Sequence, residues 1–127
     1  MKRSLSALLA VGFAALAVAV PAVLAKGGTR IVLHPAKAYP QAKGAAAYQA
    51  KAGERELQVE VEHVRALRGK QVFFYVKGAK IGAARVNGLG KAELTRNTEI
   101  GQRVPQVVAG TKVAVRTSRA AVVSGSF

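Results

Sequence analysis

The chain has no cysteine, no tryptophan and no aspartate. Without cysteine a small domain cannot be stapled by disulfides, so its stability must come from a packed core. No lipid can be attached through a cysteine either. Without aspartate the commonest partner of a catalytic histidine is missing. The chain has 2 histidines, His34 and His63. Aromatic residues make up 6% of the sequence. Phe73, Phe74, Tyr75 and Phe127 fall in segments expected to be well packed, so the core is expected to rest on Val, Ile, Leu and Ala. Negative charge is scarce: 6 glutamates face 20 lysines and arginines.

What is present begins with an export signal. Lys2 and Arg3 form a positive start, Ala7 to Val20 is an uncharged apolar run, and Pro21 breaks it. Val23-Leu24-Ala25 places small or modest side chains before a cut between Ala25 and Lys26. The alternative is an uncleaved anchor, since a span needs about 20 apolar residues. The run is largely alanine, however, and Pro21 stands where a stop-transfer flank would be. Residues 1–25 are therefore read as a signal peptide and residues 26–127 as one domain, secreted or held in the cell envelope. Taking 25 residues from 127 leaves 102, enough for a single core.

Leaving out Lys2 and Arg3 takes the charge from +14 to +12 on the mature domain. Such a field concentrates polyanions near the surface, although it serves solubility as well.

The hydrophobic pattern after Lys26 has period two, the period of strands. In Glu54 to Val64, Leu57, Val59 and Val61 share one face, while Glu56, Gln58, Glu60 and Glu62 share the other. That alternation describes a sheet with one face wet. On this reading Val59→Asp should unfold the domain and Glu60→Lys should cost little. Further strands are expected at Arg30–Leu33, Gly44–Ala50, Gln71–Val76, Ile81–Val86, Ala92–Thr95, Lys112–Thr117 and Ala120–Phe127. Turns are expected at Gly53, Lys77–Lys80, Asn87-Gly88 and Ala109–Thr111. Lys37 to Lys51 is the loosest stretch. Seven or eight short strands in about 100 residues predict an all-β fold, an antiparallel β-sandwich of Ig-like dimensions.

No catalytic constellation is visible, and no cofactor motif. By alternation His63 points with Leu57, Val59 and Val61, away from Glu60 and Glu62, which argues against a metal site. The row Glu56, Glu60, Glu62 could serve a hard cation, but no loop rich in oxygen ligands accompanies it. A small metal-binding protein or enzyme using His63 or that row is the alternative reading. The preferred one is a non-enzymatic binding or structural module. Its candidate anion-binding residues are Arg65, Arg68 and Lys70 after the acidic strand, Lys77 and Lys80 at a hairpin tip, and Arg116 and Arg119 flanking the last hairpin. The expected partner is an anionic envelope polymer or membrane surface, or a protein docking on a sheet edge. With the aromatics assigned to the core, sequence-specific reading of nucleic acid is not expected.

The run from Glu54-Arg55-Glu56-Leu57 through Tyr75-Val76-Lys77-Gly78, Ile81-Gly82, Asn97-Thr98-Glu99, Val104-Pro105 and Ser124-Gly125-Ser126-Phe127 resembles small secreted bacterial proteins of unknown function. In strand-and-turn rhythm it is also similar to CHRD-type domains. Those tend to carry a histidine pair in a central strand, and Val72 to Val76 has none. The resemblance implies a secreted β-sandwich without an assigned activity.

The mature protein is expected to begin at or within a few residues of Lys26. Intact mass or N-terminal sequencing of exported material checks this, and full-length chain recovered in the membrane would contradict it.

Overall fold

The computed structural model describes residues 28–127; the expected signal peptide and the Ala25–Lys26 cut lie outside the described residues. Eight strands follow one another: β1 (Gly28–Pro35), β2 (Lys43–Lys51), β3 (Glu54–Glu62), β4 (Gln71–Val76), β5 (Ala79–Arg85), β6 (Ala92–Asn97), β7 (Lys112–Arg116) and β8 (Ala121–Ser126). Short 3-10 turns at Arg65–Leu67 and Thr98–Ile100 are the helical elements among the described residues. The fold is all-β and every strand pair is antiparallel.

The strands form one ladder in the order β5-β4-β7-β8-β1-β2-β3-β6. β1 joins its two halves: Gly28 to Leu33 pair with β2, while His34 and Pro35 pair with β8. Leu33, 1% exposed, is buried at the crossover. Gly44 lies against it so closely that a Cβ there would meet Leu33 Cβ at 2.9 Å and Val123 Cγ2 at 3.0 Å. The end strands β5 and β6 are not paired with each other. They nonetheless come together: a Cβ on Gly82 would stand 2.9 and 3.0 Å from the methyl carbons of Leu94. The result is a nearly closed, barrel-like sheet.

Period-two alternation explains the core. Leu57, Val59 and Val61 of β3, Val72, Phe74 and Val76 of β4, and Val113 and Val115 of β7 all turn inward and are buried. Each such side chain contributes roughly 1.5–3 kcal/mol by leaving water. The stretch from Lys37 to Lys51 is firmer than its alanine content promises, because Ala46 and Ala47 of β2 are fully buried. Tyr48 closes one end of the core, edge-on to Phe127 with ring centroids 6.4 Å apart.

Two expectations about faces are corrected. Phe73 and Tyr75 are not core residues: β4 alternates strictly, so Val72, Phe74 and Val76 take the inside and both rings turn outward, half-buried. The opposite error concerns β3. Glu56, Gln58 and Glu60 are buried although they face away from the Leu57–Val59–Val61 core. β3 pairs with β2 from Glu54 to Glu62 and with β6 from Glu56 to Val61, so neighbouring side chains crowd its outward row from both sides at Glu56, Gln58 and Glu60.

Val59→Asp would bury an unpaired carboxylate and should cost several kcal/mol, enough to unfold a marginally stable domain. Glu60→Lys, first expected to be mild, should also be severe. It breaks the ion pair between the buried Glu60 carboxylate and the half-buried Lys91 and sets two cations together, at a cost of about 3 kcal/mol. Thermal melts of both variants, with the exposed Glu93→Lys as control, test this.

Candidate functional site

The antiparallel connections decide which candidate cations gather. At one end the loop after β3 meets the turn between β5 and β6: Val64 N donates to Gly90 O at 3.0 Å and Gly69 N to Val86 O at 2.9 Å. This end carries Arg65, Arg68 and Lys70. The β7–β8 turn reaches the same end, since Arg116 lies opposite Phe73 near the start of β4. Thr117 Oγ1 fixes that turn by accepting from the Arg119 and Ala120 amides, both at 3.0 Å. The β4–β5 hairpin sits at the other end, where Lys77 N donates to Lys112 O. So Arg65, Arg68, Lys70, Arg116 and Arg119 share one end of the barrel, and Lys77 tips the opposite one. Lys80 lies on the outward face of β5, its ammonium over the Phe73 ring, 5.1 Å from the centroid. All seven candidates are exposed.

Sequence reasoning passed over several residues on the same surface. Arg85 is exposed on β5 and donates to the Gly69 carbonyl. Lys112 is exposed beside Ala114 on β7. With Phe73 and Tyr75 they extend the basic surface from the loops onto the outward face of β5, β4 and β7. The signal was there to be found, because inward Val72, Phe74 and Val76 oblige the intervening rings to face out.

Charge is divided along the ladder. Every glutamate of the chain lies on β3, on β6 or in the turn after β6. β4, β5, β7 and β8 have no acidic side chain.

The acidic half is built differently. Asn87 Oδ1 accepts from the Leu89 and Lys91 amides at 2.9 and 3.0 Å, which shapes the turn that delivers Lys91. Lys91 Nζ then meets Glu60 Oε2 at 2.6 Å. Burial raises the Glu60 pKa, while Lys91 partly offsets the rise. A groove of about 340 Å³ along the outward side of β1–β3 is lined by Glu60 and Glu62, but also by Arg30, His34 and Lys43. Arg30 and Lys43 bring positive charge into this groove, which disfavours a metal ion there. No group of three His, Cys, Asp or Glu side chains among the described residues is positioned to hold one. His63 does not follow the strand alternation: β3 stops at Glu62, and His63 is exposed with φ at +63°. The left-handed backbone swings it out of the row that Leu57, Val59 and Val61 define.

Glu56 is the most perturbed of the row. Its pKa rises from 4.5 to about 7, first through burial and then through repulsion by Glu99. Asn97 holds Glu99 nearby by accepting from its amide at 2.8 Å. A carboxyl that is less acidic when folded favours the folded state below its unfolded pKa, and that advantage is lost as pH rises through 7. Relative to Glu56→Gln, the wild type should therefore lose stability between about pH 5 and pH 8, by up to about 3 kcal/mol. Paired thermal melts across that range measure the difference, and parallel curves would show that Glu56 titrates normally.

No protein-family model matches the chain, and no curated protein sequence matches it either.

Proposed function

We propose that residues 26–127 form an exported, non-enzymatic module that binds an anionic polymer or lipid surface of the cell envelope. One observation carries this reading: the carboxylates are confined to β3, β6 and the following turn, while the half from β5 to β8 bears cations alone. A charge arrangement of that kind draws a polyanion to one side and orients it there. The loops holding Arg65, Arg68, Lys70, Arg116 and Arg119 form the first contact, and the two four-stranded halves act as the facing layers of a rigid, sandwich-like support. Arginine suits bidentate contact with phosphate or carboxylate groups, and lysine adds point charge. A protein partner that adds a strand would have to part β5 from β6 at Gly82.

Titration of the mature protein against anionic vesicles and an anionic wall polymer at several salt concentrations tests the reading. Binding should weaken steeply as salt rises. Neutralising Arg65, Arg68 and Lys70 together should weaken vesicle binding about a hundredfold, at about 1 kcal/mol per cation. Neutralising Glu62 and Glu93 should leave it unchanged or stronger. Absence of binding at low salt, or binding indifferent to salt, would overturn the proposal.

A further inference from the structure

We infer that the outward face of β4, with its flanks on β5 and β7, is a stacking platform for single-stranded nucleic acid read without regard to sequence. This rests on the polyanion reading, shares its cationic half, and adds a second polyanion beside the envelope ligand met by the loops. Phe73 and Tyr75 stand two residues apart on one strand and turn to the same side. Their neighbours across the ladder are small where space is needed: Ala83 lies opposite Phe73 on β5, and Ala114 lies opposite Tyr75 on β7. The Phe73 ring presents its face outward, because the Lys80 ammonium already sits over it at 5.1 Å from the centroid. A base can replace that ammonium on the ring, leaving Lys80 to meet the adjoining phosphate. Arg116, opposite Phe73, and Lys112 at the far end of β7 give the backbone two more cations along the same line.

Spacing and chemistry favour this occupant. Alternate residues of a strand lie about 7 Å apart. Bases stacked in a duplex advance about 3.4 Å per strand. Two rings at strand spacing therefore suit successive bases of an extended strand and cannot both engage a stacked duplex. The charged side chains of this face only donate and the Tyr75 hydroxyl is the acceptor its rings supply, so a hydroxyl-rich glycan finds fewer partners here than a strand of bases that stack. A lipid surface needs protruding apolar groups, whereas these rings are half-sunk in the middle of a sheet.

The test is fluorescence anisotropy on the mature chain, using labelled oligothymidylate of roughly 16 nucleotides, a duplex of equal length, an acidic polysaccharide and anionic vesicles. Oligothymidylate should bind tighter than duplex. Joint Phe73→Leu and Tyr75→Leu substitution keeps apolar bulk but removes the rings, so it should weaken oligothymidylate binding roughly thirtyfold. The slope of log affinity against log salt should then stay the same, and vesicle binding should not change. Lys112→Gln with Arg116→Gln should instead flatten that slope by about one to two. A melt confirms that each variant is folded; should the leucine pair unfold, the glutamine pair and the single-strand preference over duplex decide. Equal affinity for single strand and duplex, or no loss in the folded leucine pair, would reject the platform while the polyanion reading stands. Tighter, ring-dependent binding of the polysaccharide would also reject it. No binding to any of the four at low salt would end both.

Discussion

The whole sheet depends on β1 dividing its hydrogen bonds. Its first residues extend the β2–β3–β6 half and its last two extend the β8–β7–β4–β5 half. The strand changes partner after Leu33, and this point is packed from both sides. Gly44 approaches on one flank. Gly125 approaches on the other, where a Cβ would fall 2.9 Å from the Val32 carbonyl oxygen. Larger side chains at either glycine would push the halves apart at the point where the ladder is thinnest. In a domain without disulfides, this buried corner keeps the two inner faces on a common core.

Because the two halves are joined but distinct, they can differ in surface chemistry. The β3–β6 half keeps its carboxylates, and burial together with the Lys91 contact binds part of that charge into the structure. The other half has no carboxylate to neutralise its lysines and arginines, so its field points outward. A barrel with mixed charges on every strand would have the same net charge and no such polarity. The aromatic rings of β4 lie within the cationic half, so apolar contact and positive charge coincide on one surface.

Most of the architecture was legible in the sequence because strand period and turn chemistry are local properties. Gln71–Val76 was placed residue for residue, and the turn at Lys77-Gly78 has both residues at positive φ, as a tight hairpin requires. What the sequence does not show is which strands become neighbours. The outward row of β3 read as wet because alternation says which residues share a face, not what flanks that face. Only the pairing of β3 with both β2 and β6 sinks Glu56 and Glu60. The rings of β4 were misplaced for a simpler reason. Five apolar residues in succession read as a wholly buried strand, although a strand can hide only every second one when one of its faces is open. The basic loops were individually visible, but their gathering at one end follows from the antiparallel connections.

The meeting of β1 with β8 also has a kinetic meaning. The first and the last of the described strands in chain order are neighbours in space, so the two halves cannot be joined until both are available. Contacts this distant in sequence raise contact order and slow the final closure relative to a domain of local hairpins. The β4–β5, β7–β8 and β2–β3 hairpins can form early, but each alone is marginal. The chain thus stays a set of loosely committed hairpins until β8 reaches β1 and the two halves are joined.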